Sequence, residues 1–209
     1  MRYRFNLALV VWLWLLPTVL MADPQQDIAD LSVRADAGEA AAQFSLGTAY
    51  DSGHGVKQDM LKAALWYERA AKQSHVDAQF NLAVLYDEGE GVRQDYRQSV
   101  YWYQQAADQG MPEANNNLGL MYASGRGVDQ DYERAYACFK VAAQKHFTDS
   151  QYNLGLLYQS GLGTQQDLLL ALELFARAKG GHPGAAQAYE LLFEQLSPQQ
   201  RKTALSGLN

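Results

Sequence analysis

The chain lacks the residues that most enzymes and metalloproteins need. It has a single cysteine, Cys138, in 209 residues, so it forms no internal disulfide. Its histidines, His54, His75, His146 and His182, do not have the three- or four-residue spacing of metal ligands on a helix. The sequence also has no phosphate-binding loop, dinucleotide fingerprint, serine elbow or His-Glu pair. We therefore predict a non-enzymatic protein with no catalytic, cofactor-binding or metal-binding residues.

Basic charge is scarce and dispersed. The chain has 17 Lys and Arg residues against 23 Asp and Glu residues, a formal net charge of −6. No basic cluster is present, which argues against a nucleic-acid partner. An acidic surface is also repelled by anionic lipid. The partners that remain are proteins, peptides or small cationic ligands.

The longest apolar run lies at the N-terminus. Arg2 and Arg4 precede the apolar residues 7–16, and Ala22 ends the segment. This order is typical of a secretory signal peptide, which we predict over residues 1–22 with cleavage after Ala22. The alternative is an uncleaved anchor, although the apolar stretch is shorter than the roughly 20 residues that span a bilayer. No cysteine follows the run, so no lipid anchor is predicted.

Pairs of glycines recur along the rest of the chain at a fixed step of 36 residues. The pairs are Gly53/Gly55, Gly89/Gly91, Gly125/Gly127 and Gly161/Gly163. An aspartate follows each pair at the same step, as Asp59, Asp95, Asp131 and Asp167. A constant period of this size indicates a repeat array, in which each unit buries one face against the next.

Each unit has helical spacing on both sides of its glycines. Leu46 and Tyr50 lie four residues apart, as do residues of the second half of the unit. A first helix is predicted over roughly residues 39–52 and a second over roughly 60–73.

Three recurring sets of residues have structural interpretations. The loop glycines are expected to adopt positive φ. Asp59 and its equivalents are expected to cap the second helices. Small residues such as Gly47 are expected to let two helices approach closely, with an aromatic ring filling the space beside them.

These residues resemble the Sel1-like repeat, a relative of the tetratricopeptide repeat. Residues 42–71 read AQFSLGTAYDSGHGVKQDMLKAALWYERAA, and three further units repeat the pattern. The third unit departs at Cys138, where the first two have Trp66 and Trp102. The resemblance covers roughly residues 42–192 and implies an all-α fold, a right-handed α-solenoid of four helix-turn-helix repeats with helical caps.

The predicted organisation has four parts. A signal peptide over residues 1–22 precedes an N-terminal capping helix over 23–41. Four repeats follow over 42–185, and a partial fifth repeat with a C-terminal cap ends the chain over 186–209. Bacterial members of the family imply the periplasm or secretion as the destination, with no stable membrane insertion after cleavage. The sequence leaves the oligomeric state open.

Tetratricopeptide arrays imply that the first helices line a concave face and contact the partner there. Two adjacent positions of these helices are candidates: Phe44, Phe80, Asn116 and Tyr152, then Ser45, Asn81, Asn117 and Asn153. The amides would pair with the backbone of an extended peptide. The alternative is that these residues support helix packing or hydrogen-bond the neighbouring helix.

Acidic residues at the ends of the first helices form a second candidate site. These are Asp51, Asp87 and Glu88, with Glu90 in the loop. They are expected to receive a basic segment, or else to form a solvated rim.

The predicted function is that of a periplasmic adaptor that binds a protein or peptide. Two alternatives remain open: a permanent structural subunit of an envelope or flagellar motor complex, and a cell-wall-active or β-lactamase-like hydrolase. The hydrolase role belongs to relatives with a cysteine pair in every repeat, which this chain lacks. Cys138 is expected to be a small buried apolar residue rather than a reactive thiol.

Overall fold

The computed structural model describes residues 24–207, and every regular element in that range is a helix. The helices are α1 (Pro24–Asp36), α2 (Ala40–Ser52), α3 (Met60–Ala71), α4 (Val76–Glu88), α5 (Tyr96–Asp108), α6 (Pro112–Ser124), α7 (Tyr132–Gln144), α8 (Thr148–Ser160), α9 (Leu168–Ala178), α10 (Ala185–Gln195) and α11 (Pro198–Gly207). The predicted signal peptide, residues 1–22, lies outside the described residues.

Each helix from α1 to α10 packs mainly against the helices directly before and after it. Four pairs, α2–α3, α4–α5, α6–α7 and α8–α9, form the repeats, and α1 packs on the first of them. At the other end, α10 and α11 both pack against α9. This nearest-neighbour arrangement confirms the predicted all-α solenoid. The first helix of the first repeat begins at Ala40 and the second ends at Ala71, close to the predicted bounds.

The recurring aspartates cap the second helices, as predicted. Asp59 has an extended backbone, and its side chain accepts a hydrogen bond from the backbone N–H of Lys62 at 3.1 Å. Asp95, Asp131 and Asp167 make the same contact in the other repeats. Each cap satisfies an amide that the first helical turn leaves free, which stabilises the helix by about 1 kcal/mol.

The two glycines of each pair have different roles. The first ends the first helix in the left-handed region, as Gly53 does with a φ of 75°. The second also has positive φ, and in the second, third and fourth repeats it touches the preceding repeat. A Cβ added at Gly91 would overlap the carbonyl oxygen of Met60, at the start of α3. Gly127 and Gly163 approach the preceding repeat in the same way, so this glycine is an inter-repeat contact that the sequence analysis did not predict.

One aromatic ring from each second helix fills the centre of its repeat. The rings are Tyr67, Tyr103, Phe139 and Phe175, all buried. A Cβ added at Gly47 would lie 2.6 Å from the Tyr67 ring, and Gly119 and Gly155 have the same relation to their rings. Small residues on the first helices therefore allow the close packing that the sequence predicted.

Side-chain amides supply most of the polar contacts between successive helices. The buried amide of Gln43 donates to the carbonyl oxygen of Ala35, and Gln79 and Asn115 repeat this bond one and two units later. Gln73 in turn donates to Gln43 Oε1 at 2.7 Å. Within the glycine loops, Gln58, Gln94, Gln130 and Gln166 each donate to a carbonyl at the end of the first helix. These bonds satisfy helix-terminal carbonyls that have no partner within their own helix.

The final helix begins with a reciprocal cap. The backbone N–H of Ser197 donates to Gln200 Oε1 at 3.0 Å, and the backbone N–H of Gln200 donates to Ser197 Oγ at 3.3 Å. This is a capping box. Pro198 lies in the first turn of this helix.

We expect Gly91→Ala to destabilise the protein far more than Gly38→Ala. Both glycines have positive φ, which costs an alanine about 1 kcal/mol. A Cβ at Gly38 meets nothing within 4 Å, whereas one at Gly91 must displace the backbone at Met60, for a total of about 3 kcal/mol. Urea denaturation of both variants measures the difference. Equal losses would contradict the inter-repeat role of Gly91.

Candidate protein-binding face

The first helix of each repeat has one side whose residues are exposed or half-buried. In α4 this side carries Asp77, Asn81, Val84 and Glu88, spaced as residues i, i+4, i+7 and i+11 on one helical face. The equivalent residues are Ala41, Ser45, Thr48 and Ser52 in α2, Glu113, Asn117, Leu120 and Ser124 in α6, and Asp149, Asn153, Leu156 and Ser160 in α8. We call these four stripes together the first-helix face.

The aromatic candidates lie at the edge of this face and pack on the core rings. The Phe44 ring lies 5.8 Å from the Tyr67 ring, and the Tyr152 ring lies 5.6 Å from the Phe175 ring. Phe80 contacts Tyr103 in the same way. All three candidates are half-buried. They contribute to the core and leave only part of each ring for a partner.

Two histidines cover further parts of these rings. His75 stacks on Phe44 with ring centroids 4.6 Å apart, and His182 stacks on Tyr152 at 3.8 Å. The His75 ring also accepts a hydrogen bond from the backbone N–H of Ala78 at the start of α4. Phe44 therefore lies between two rings.

Asn116, a predicted partner-binding residue, is buried rather than available to a partner. Its side chain is 5 % exposed and lies inside the stack, because its amide oxygen accepts two hydrogen bonds from the next repeat. Ser150 Oγ donates to it at 2.9 Å and Asn153 Nδ2 at 3.0 Å. Its own Nδ2 donates to Asn117 Oδ1 at 3.3 Å. A residue held in this way presents no free amide to a ligand.

The remaining asparagines also bond neighbouring side chains. Asn117 Nδ2 donates to the hydroxyl of Tyr103 at 3.1 Å, and Asn81 occupies the equivalent position in the second repeat. Asn153 differs because the ring at the matching position is Phe139, which has no hydroxyl, and its amide turns to Asn116 instead. The structure thus shows the packing role that the sequence left as the alternative. These three side chains remain half-buried.

The acidic candidates divide into two kinds. Asp51 accepts a hydrogen bond from the hydroxyl of Tyr67 at 2.9 Å, and Asp87 forms an ion pair with Arg126 at 3.2 Å. Glu88 and Glu90 are exposed.

Burial raises the pKa of the Tyr67 hydroxyl to about 12. Tyr67 therefore remains a neutral donor at physiological pH. Burial also raises the pKa of Tyr103 to about 12.

A row of exposed apolar residues was missed in the sequence. Leu120 is 38 % exposed and Leu156 is 37 % exposed, and the half-buried Val84 occupies the same position in the second repeat. Each of these residues directly follows the small residue that packs on the core ring, which leaves Leu120 and Leu156 exposed, whereas Val84 also packs partly on the core. The sequence signal for this row was an apolar residue that recurs at the 36-residue step, at a place where the helical pattern predicts a solvent-facing residue.

Cys138 lies outside the first-helix face, on α7, and packs partly buried against the core. It is a free cysteine, and burial raises its pKa to about 11. The thiolate is the reactive form, so the thiol is unreactive at neutral pH.

Residues 24–207 contain neither a cluster suited to a metal ion nor a helix suited to span a membrane. No cluster of His, Cys, Asp and Glu in that range has the geometry to hold a metal ion. No helix in the same range is long and apolar enough to cross a membrane.

Stacked helix pairs of this kind define a tetratricopeptide-like α-solenoid. The model of the Sel1 repeat family matches residues 40–75, 76–111, 112–147 and 148–179. The chain therefore belongs to the Sel1 repeat family. Proteins built from these repeats are typically protein-interaction scaffolds and generally not enzymes. No curated protein matches the chain.

Solved structures support the assignment. A protective antigen of uropathogenic Escherichia coli strains, which displays an SLR fold, is 35 % identical with a TM-score of 0.77 over 80 % of this chain. The match spans only 36 % of that antigen. A Sel1 repeat protein from Oxalobacter formigenes is 28 % identical with a TM-score of 0.77, covering 88 % of this chain and 78 % of that one. A putative Sel1 repeat protein from Klebsiella pneumoniae, 24 % identical with a TM-score of 0.54, shares the fold over 86 % of this chain and 88 % of its own.

We expect Asn116→Ala to destabilise the protein by about 2 kcal/mol, because it leaves the buried hydroxyl of Ser150 and the amide of Asn153 without their acceptor. Adding Ser150→Ala should recover part of the loss, since alanine occupies that position in the preceding repeats. Thermal and urea denaturation measure both effects. Unchanged stability of Asn116→Ala would show that the bonds between the third and fourth repeats contribute nothing.

Proposed function

We propose that the protein is a non-enzymatic, exported adaptor that binds a protein or peptide segment on its first-helix face. The observation that carries this proposal is the apolar row on three successive repeats, in which Leu120 and Leu156 are exposed and Val84 is half-buried. Membership of a family of interaction scaffolds supports it.

The apolar row offers binding energy at a small entropic cost. Burying one leucine side chain fully contributes about 1.5–3 kcal/mol, and Leu120 and Leu156 are already partly ordered by their helices. Half-buried asparagines run beside the row, with their amides held by Tyr103 and by Asn116. A partner therefore meets a rigid surface rather than mobile side chains.

The alternatives differ in what they require. A hydrolase needs a nucleophile beside a base, and Cys138, with its pKa raised by burial, is a poor nucleophile. A permanent structural subunit would use the same face and differ only in the lifetime of the complex. The adaptor is the function that the exposed apolar row supports best.

Export is the second part of the proposal. It rests on the N-terminal segment 1–22, with its basic start and apolar run, and on the acidic remainder of the chain. We propose the periplasm as the destination, with secretion beyond it as the alternative.

We expect Leu120→Asn combined with Leu156→Asn to abolish partner capture without loss of stability. The matched control is Leu65→Asn with Val141→Asn, which removes exposed apolar residues from the second helices α3 and α7. A pull-down from periplasmic extract measures capture by the asparagine variants, and photo-crosslinking groups placed separately at 120 and 156 or at 65 and 141 locate the contact. Equal crosslinking from both pairs of positions would contradict the first-helix face. Turnover of a β-lactam by the purified protein would favour the hydrolase.

Cell fractionation tests the location. We expect the protein in the periplasmic fraction, and we expect its intact mass to begin at Asp23, because cleavage after Ala22 removes residues 1–22. A mass that retains Met1 in the membrane fraction would show an uncleaved anchor, and full-length protein in the cytoplasm would contradict export.

A further inference from the structure

Charge is segregated between the two layers of helices. The four first helices, α2, α4, α6 and α8, contain no Lys, Arg or His. They carry six carboxylates: Asp51, Asp77, Asp87, Glu88, Glu113 and Asp149. The second helices of the same repeats carry six cations, Lys62, Arg69, Arg97, Arg134, Lys140 and Arg177, and only four carboxylates, Glu68, Asp108, Glu133 and Glu173. The side of the solenoid that carries the apolar row is therefore its acidic side.

Helix electrostatics account for only part of this segregation. Asp77, Glu113 and Asp149 lie in first turns, where a negative charge stabilises a helix. Asp87 and Glu88 lie in the last turn of α4, where a negative charge is unfavourable and a basic residue would stabilise the helix. No first helix has a basic residue in its last turn. The helix dipole therefore does not explain why cations are absent from this side.

Ion pairing within the protein leaves most of this charge uncompensated. Arg126 pairs with Asp87 from the loop after α6. Lys145, at the end of α7, donates to the carbonyl oxygen of Gly110. On the second helices, by contrast, Lys62 pairs with Asp59, Arg134 with Asp131 and Arg177 with Glu173. Three of the six cations of that layer therefore pair with carboxylates of the same layer.

The carboxylates and the apolar residues form two parallel rows. Asp77, Glu113 and Asp149 form the acidic row, and Val84, Leu120 and Leu156 form the apolar row, seven residues further along each helix. Seven residues of α-helix separate the rows by about 10 Å. A segment that crosses the helices therefore meets negative charge along one edge and apolar surface along the other.

We infer that the occupant of the first-helix face is an extended, cationic segment of another protein, in which basic and apolar residues alternate. Side chains of an extended chain point alternately to opposite edges, so such a segment places its Lys or Arg residues over the acidic row and its apolar residues over the apolar row. Charge complementarity selects the basic residues. The inference rests on the proposed function and adds the chemistry of the partner to it.

A fluorescein-labelled peptide of six alternating Lys-Val pairs is a suitable probe, with a Glu-Val peptide as its charge-reversed control. We expect fluorescence anisotropy to show binding of the Lys-Val peptide alone. Affinity should fall by about ten-fold or more between 0.05 and 0.5 M NaCl, because salt screens the carboxylates. Equal binding of both peptides, or binding of neither, would overturn the inference.

Matched variants locate the binding. Glu113→Gln with Asp149→Asn should weaken the Lys-Val peptide about ten-fold, because both charges lie on the acidic row. Glu133→Gln with Glu173→Gln makes the same change in net charge on α7 and α9 and should alter affinity by less than about two-fold. Equal effects of the two pairs would show attraction to net charge alone and would overturn the inference.

Partner capture by the two pairs of variants distinguishes failure of the cationic inference from failure of the proposed function. If Leu120→Asn with Leu156→Asn abolishes partner capture while Glu113→Gln with Asp149→Asn leaves it unchanged, the face binds a partner and the cationic inference fails. If neither pair alters capture, the proposed function fails. If the protein sediments as a dimer that the leucine variants dissociate, a second copy covers the face, and the inference fails in that way too.

Discussion

The fit of one aromatic ring against one small residue sets the geometry of every repeat. Tyr67 packs over Gly47 and Phe139 over Gly119, at a distance that leaves no room for a larger side chain. Close approach of the two helices turns one side of the first helix inward and the opposite side outward. The acidic and apolar rows are therefore arranged by packing in the interior. A bulkier residue at any of these small positions would shift the outer surface as well as the core.

Local rules of the chain were enough to predict the helices, the Asp59 caps and the left-handed glycines. Each of these features depends on residues within one unit, so the repeat pattern reveals it. The inter-repeat role of Gly91 and the burial of Asn116 depend on which atoms of neighbouring units meet. Asn116 stands where the other three repeats have an aromatic residue. This difference marked Asn116 as unusual, but it did not show whether the side chain faces solvent or the core. The exposed row with Leu120 was visible only after the helix faces were assigned.

The asparagine positions show how one residue serves two surfaces. The amide of Asn117 holds the hydroxyl of Tyr103 on its inner side, while the half-buried outer side borders the apolar row. These side-chain amides are polar, but they are already hydrogen-bonded within the protein. They therefore have little capacity left to bond the backbone of a partner. Specificity on this face then depends on the rows beside it, where side chains are exposed and charge has one sign.

Four nearly identical units raise the question of how each finds its correct neighbour during folding. The bond from Ser150 to Asn116 joins the third and fourth repeats, and its donor and acceptor types recur at no other junction. If the second repeat stacked directly on the fourth, Phe80 would meet Ser150 and leave its hydroxyl buried without an acceptor. Tandem arrays are prone to misassembly between similar units. This single polar pair therefore favours stacking of the fourth repeat on the third over stacking on any other repeat.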